Sequence, residues 1–281
     1  MPGVLSSAPG FILADTAWPA TLPEAHRALL VALRDGLRAS SEIAALAAGG
    51  SFISGTLDEF SDLDLVVVVQ PGAWPEILER RRAIAAALGP LLGAFTGEHV
   101  GEPRLLICLY GPPLIHVDLK FLPTQELGER VEDPVVLWDR NGSVAARLAA
   151  TTGRYPAPDR QWIEDRFWIW VHYAATKLAR GELFEVLNVL AFLRAQVLGP
   201  LLLAEAGAQP NGVRRLEQHA GSRTDQLKAT VARYDGLDAG RALQQAIGLY
   251  LELRGGVRPS AAEAPAIAFT LRVTGNAGAK S

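Results

Sequence analysis

In the run SDLDLVVVV, residues 61–69, Asp62 and Asp64 stand one residue apart at the mouth of an apolar stretch that ends in four valines. Side chains two apart on a strand share a face, so the two carboxylates project side by side while Leu63 and Leu65 point the other way. Carboxylates that close repel each other unless cations lie between them. Oxygen donors of this kind suit Mg²⁺, which takes one or two protein carboxylates and keeps the rest of its shell for water and phosphate oxygens. Solvated aspartates on an edge strand are a common alternative. Four consecutive valines instead mark a buried, central strand.

Upstream, Gly49-Gly50-Ser51 follows a short apolar run and opens a short helix. Glycine lets a phosphate approach the backbone closely, while a serine hydroxyl and backbone N–H groups donate to it. Gly55 allows the chain to turn before Ser61, and Gly50, Ser51 and Ser61 are the candidate nucleotide contacts of this segment. A phosphate-binding turn about ten residues before a metal-binding pair would hold a nucleoside triphosphate by metal and phosphate together. A two-metal displacement calls for a third carboxylate. Asp118, in LIHVDLKF, is the candidate: Ile115, Val117, Leu119 and Phe121 face one way, and His116, Asp118 and Lys120 the other. The stretch from Gly50 to Gly55 lacks the Lys-Ser/Thr of a Walker A loop, and no G-x-G-x-x-G suggests a dinucleotide site.

Gly50-Ser51, ten intervening residues, Asp62-x-Asp64 and the later strand aspartate Asp118 resemble the signature of the DNA polymerase β-like nucleotidyltransferase superfamily. With GGS, SDLDL and a helical second half on one chain, the sequence is most similar to the small-molecule branch, whose antibiotic members adenylylate aminoglycosides or lincosamides. The resemblance spans about residues 40–122 and is architectural beyond residue 159. It implies that Asp62, Asp64 and Asp118 bind two Mg²⁺ and that Gly50 and Ser51 hold the triphosphate of ATP or another nucleotide. It also implies that the helical half closes the cleft and shapes the acceptor site. A general base, in such enzymes, is often a carboxylate early in the first helix after the catalytic domain; Glu164 is favoured here, with Asp165 as the alternative. Lys177, on the same helix, is the expected partner of the β- and γ-phosphates.

These residues require an α+β chain. Periodicity predicts helices over residues 23–40 and 75–88 and strands over 43–48, 63–70, 105–110, 114–121 and 134–138, which the resemblance implies form a mixed sheet flanked by helices. GRYPAPD, residues 153–159, divides the chain into a catalytic domain over 1–152 and a helical substrate-binding domain over 153–281. The second half reads as an all-α bundle with helices over 159–180, 182–203, 211–219, 224–234 and 239–253, and a last helix or strand over 261–273. On the first of these, Ile163, Phe167, Val171, Ala174 and Leu178 form a core stripe. Arg166, Trp170, Tyr173 and Lys177 form an aromatic and basic stripe beside it, either a rim with snorkelling stems or a cleft wall.

The 281 residues, 49% hydrophobic and 20% charged, suffice for one large or two modest cores. A net charge of −3 supplies no basic field for a stable nucleic acid partner, and it suits a cationic small acceptor. One cysteine, Cys108, forms no internal disulfide and is expected in the core, and the five histidines show no metal spacing. With no run of about 18 uninterrupted apolar residues and no leader pattern, the expectation is a soluble cytoplasmic protein, monomeric or homodimeric, with no membrane partner. Two other readings differ in class. One is nucleotidylation of a protein or tRNA, whose catalytic units are usually shorter and lack their own helical half. The other is a non-catalytic nucleotide-binding protein, which predicts loss of at least one carboxylate; all three are present.

Overall fold

Apolar residues at helical spacing and alternating apolar runs divide the labour in the first half of the chain. Leu30, Leu33 and Leu37 line one face of α1, Glu24–Ala39, and are fully buried. Next come β1, Ile43–Ala48, buried along its whole length; α2, the single turn Ser51–Ser54; and β2, Leu63–Val69. Then follow α3, Trp74–Ala87; β3, Leu91–Gly97; β4, Glu102–Tyr110; β5, Ile115–Pro123; β6, Val135–Asp139; and α4, Ser143–Ala149. This is a computed structural model that describes residues 8–14 and 17–277. It comprises two units, Met1–Arg154 and Tyr155–Ser281.

The six strands form one sheet in the order β3-β4-β5-β2-β1-β6. β2 and β5 pair in parallel, while every other neighbouring pair is antiparallel. The sheet is therefore mixed, with β2 central, as four consecutive valines require. Its two faces are covered unequally. Leu63, Leu65, Val67 and Val69 of β2 join Val117, Leu119 and Phe121 of β5 in a core that also holds Leu30 and Leu33 of α1 and Ile77 of α3. On the opposite face Val68 and Leu122 pack with Val144 and Leu148 of α4. Val68 thus shares a face with Asp64, and Leu122 with Asp118.

The second unit is helical: α5, Arg160–Ala179; α6, Leu183–Leu193; α7, Gly199–Glu205; α8, Leu216–His219; α9, Arg223–Lys228; α10, Gly236–Leu253; and α11, Glu263–Ala277. Asp159 caps α5 by accepting from the Trp162 N–H, and Asp235 caps α10 by accepting from the Asp238 N–H. Ile163, Phe167, Val171, Ala174 and Leu178 lie in the core of this unit, where the Phe167 ring stacks on Tyr250 at 3.8 Å.

Several elements differ from expectation. β3 breaks alternation with Gly93 and Gly97, half-exposed on a sheet edge, so its sequence reads poorly as a strand. α4 follows the Asn141-Gly142 turn unannounced. The helix expected over 211–219 shrinks to α8, because Arg215 just before it is left-handed at φ 54°. The one expected over 224–234 ends at Lys228, and the tail resolves as helix. Among the described residues one segment, Leu183–Glu205, is long and apolar enough to cross a membrane by length and composition, with mean hydropathy 1.8. Glu185, Asn188, Arg194 and Gln196 interrupt its apolar run, which is why the sequence shows no unbroken stretch. Half of the segment is buried, and Val186, Leu190, Val197 and Leu201 belong to the core.

Candidate active site

The Gly49–Gly50 turn is shaped by what leans on it. The Gly49 N–H donates to the Asp64 carbonyl at 2.8 Å, fastening the end of β1 to β2. Gly50 takes φ 56° and ψ −132°, a conformation that glycine alone adopts without strain. A β-carbon there would lie 2.0 Å from Asp64 Oδ2, so the missing side chain is what admits the carboxylate. The Gly50 N–H donates to Glu132 Oε1 at 2.8 Å. Ser51 is buried, and the neighbouring Phe52 anchors α2 in the core. Gly55, left-handed at φ 62°, ends that turn.

Ser61, expected at the nucleotide, is engaged locally. Its hydroxyl donates to Asp58 Oδ1 at 3.0 Å and accepts from the Asp58 N–H at 2.9 Å, while its carbonyl accepts from His26 Nε2 at 2.9 Å. These bonds hold the loop that delivers Asp62 to β2.

The parallel register sets Asp64 directly opposite Asp118, so the two carboxylates are neighbours on adjacent strands. Asp118 accepts from His116 Nε2 at 2.9 Å. The same row continues from Asp118 to Ile107 on β4 and from Ile107 to Phe95 on β3, a lateral apolar extension of the acidic pair. Beside it Lys120 contacts Glu102 Oε2 at 2.8 Å, and Arg104 contacts Glu102 Oε1 at 2.6 Å as well as Glu126. Arg104 first, with Lys120 and against a smaller effect of burial, holds the Glu102 carboxyl down at about 2. Asp62 precedes Leu63, the first residue of β2. Among the described residues no three His, Cys, Asp or Glu side chains stand as a ready metal-holding group. The donor chemistry nonetheless suits Mg²⁺, which needs one or two protein carboxylates, and Asp64 and Asp118 supply two.

Cys108, buried behind Asp118 on the opposite face, is a core residue whose thiol burial pushes up to about 12.

The helical unit corrects the expectation for Glu164. Its side chain is fully buried. Trp168 Nε1 donates to Oε1 at 2.8 Å, the Ser260 N–H to Oε1 at 2.9 Å and the Tyr250 hydroxyl to Oε2 at 2.7 Å, with Arg254 Nη1 at 3.4 Å from Oε1. Burial pushes the carboxyl up, but the Ser260, Trp168, Tyr250 and Arg254 donors together outweigh it and leave it below the usual range. A carboxylate so enclosed is an internal tie and cannot meet an acceptor hydroxyl as general base. Asp165 is exposed and accepts from Gln161 Nε2 at 2.8 Å. Lys177 pairs with Glu182 Oε2 at 2.6 Å and lies over the Tyr173 ring at 5.2 Å, closing the turn between α5 and α6. Glu182 holds the ammonium above its usual range. The aromatic stripe is broader than the sequence suggested: Trp162 meets Trp170 at 5.9 Å, and Trp170 meets Phe192 of α6 at 5.0 Å.

Sequence reasoning missed Glu132, His116 as the partner of Asp118, and Phe192. His116 was legible from strand alternation. Glu132, 82 residues from Gly50, left no sequence signal.

The family model described as a nucleotidyltransferase domain matches residues 30–94, which include Gly50, Ser51, Asp62 and Asp64. The solved structures that resemble the chain include an aminoglycoside 6-adenyltransferase from Bacillus subtilis, with 14% identity, 95% of this chain and 98% of that chain covered, and a TM-score of 0.34. They also include a nucleotidyltransferase-like protein from Exiguobacterium sibiricum 255-15, with 15% identity, 82% and 76% covered, and a TM-score of 0.38. No curated protein matches. The first unit thus carries a segment similar to a nucleotidyltransferase domain, and that segment holds the glycine turn set against Asp64.

Proposed function

We propose that the protein moves a nucleoside monophosphate, AMP from ATP by the resemblance, to a hydroxyl of a small molecule of the aminoglycoside or lincosamide kind. The observation that carries this reading is the register of Asp64 against Asp118 at the end of the sheet face that α4 does not cover. An acceptor oxygen attacks the α-phosphorus, the bond to the bridging oxygen breaks, and pyrophosphate leaves with that bond's electron pair. Asp62, Asp64 and Asp118 would hold the metal. Bound Mg²⁺, as two ions, supplies charge neutralisation at the triphosphate and lowers the pKa of the acceptor hydroxyl. The Gly49–Gly50 backbone, with Ser51 beside it, receives the phosphates at close range, while Lys177, the expected phosphate partner, is paired with Glu182. Of the two carboxylates offered for the general base, Asp165 is the exposed one, and the acceptor proton goes to it. The setting is cytoplasmic, with a monomer or homodimer and no stable nucleic acid partner.

Pyrophosphate release from ATP, GTP, CTP and UTP with Mg²⁺, against a panel of aminoglycosides and lincosamides, tests the reading. Acceptor-dependent release that Asp64→Asn lowers by about 100-fold or more is expected. Nucleotide binding with no release across the panel would move the acceptor to another chemical class. Absence of nucleotide binding would overturn the reading.

A further inference from the structure

Glu132 already occupies the backbone donor to which the nucleotide reading assigns a phosphate. Its Oε1 accepts from the Gly50 N–H at 2.8 Å and would lie 2.5 Å from a β-carbon at Gly49, so both glycines make room for an anion, Asp64 on one and Glu132 on the other. Charged acceptors on backbone N–H groups are among the stronger hydrogen bonds. A triphosphate arriving at the same N–H cannot share it with the carboxylate, and its negative charge makes their coexistence worse.

The backbone that carries Glu132 is fastened. Arg130 donates to Asp133, to Thr151 Oγ1 at 2.6 Å and to the Leu148 carbonyl at 2.9 Å. The Gly153 N–H donates to Asp133 Oδ1 at 2.9 Å, and a β-carbon at Gly153 would lie 2.4 Å from the Glu132 carbonyl carbon. None of these contacts uses the Glu132 carboxylate. The side chain, with three rotatable bonds, can therefore swing off Gly50 while its backbone stays in place.

We propose that Glu132 holds the place of a phosphate group in the nucleotide-free protein and is displaced when a triphosphate binds, so that it lowers the affinity for nucleotide. This rests on the nucleotide reading of Gly50. The test is calorimetric titration of the full chain with Mg²⁺-tripolyphosphate, which is independent of the base, and with Mg²⁺-ATP, for wild type, Glu132→Gln and Glu132→Ala. Glu132→Ala should bind about tenfold more tightly than wild type, the worth of one charge-assisted hydrogen bond forgone. Glu132→Gln, which keeps an acceptor for the Gly50 N–H without its charge, should fall between them. Should Glu132→Ala not fold, the isosteric Gln variant carries the test by itself. Binding by wild type with equal or weaker binding by the folded variants would overturn the displacement and leave the nucleotide reading standing. No binding by wild type or any variant would overturn both.

Discussion

At the scale of single residues, the decisive contrast is between carboxylates that face solvent and one that does not. Asp64 and Asp118 sit opposite each other on adjacent strands, whereas Glu164 is enclosed by four donors. Glu164→Ala would leave the Tyr250 hydroxyl, the Trp168 indole N–H and the Ser260 N–H without their acceptor, which should cost about 3 kcal/mol, read as a lower melting temperature. Activity per folded molecule in the pyrophosphate assay should then change little, whereas Asp165→Asn should alter the pH profile of kcat without affecting the melting temperature. A large loss of activity from Glu164→Gln with unchanged melting would contradict the internal role. Gly50→Ala tests the turn. Its β-carbon would meet Asp64 Oδ2 and its φ is positive, so roughly 1–3 kcal/mol of stability should go, together with nucleotide binding. Which acids are solvent-facing was half legible. Alternation along β2 and β5 put Asp64 and Asp118 on the open face, but no local pattern showed that residues 90 and 96 positions beyond Glu164, Arg254 and Ser260, come back to enclose it.

At the scale of elements, one sheet face is split along its strands. α4 covers Val68 and Leu122 at one end, and Asp64 and Asp118 stand at the other, so the same pair of strands is core at one end and site at the other. Beside the acidic pair lies an ion network in which Lys120 shares the strand face of Asp118. Arg104 and Lys120 hold Glu102 at about 2. A carboxyl depressed in the folded state contributes stability that is present above its unfolded value near 4.5 and is lost as pH falls through about 2. Glu102→Gln should therefore lower stability by about 2 kcal/mol at neutral pH, and the gap in melting temperature from wild type should narrow between pH 4.5 and 2. A gap that stays constant over that window would refute the assignment. β3 and α4 escaped sequence reading because glycines and a short length hide them, and the sheet order that brings Ile107 and Phe95 into line with Asp118 is a tertiary fact.

At the scale of the molecule, the two units have separate cores: one built on the sheet with α1 and α3, the other on α5, α6 and α10. The stretch from Thr151 to Asp159 between them has no regular structure beyond a bend at its start, and Arg154 in it is exposed. Exposed irregular segments are where proteases enter first. Limited digestion with trypsin should cut after Arg154 and release two fragments that correspond to the units Met1–Arg154 and Tyr155–Ser281. First cleavage inside either unit would show that this segment is less accessible than its backbone implies.

The sequence by itself determined the α+β order with a helical second half, the central place of β2, the glycine turn before it and the face shared by Asp64 with its valine neighbours. Those follow from local rules, the twofold alternation of strands, the helical period and the conformations open to glycine, which act over a few residues. Tertiary structure alone decided that Asp64 faces Asp118, that Glu164 is sealed and that Glu132 rests on Gly50. Each of these depends on a register or a long-range approach, 82 residues in the last case, and a hydrogen bond or burial across such a separation leaves no periodic mark on the chain.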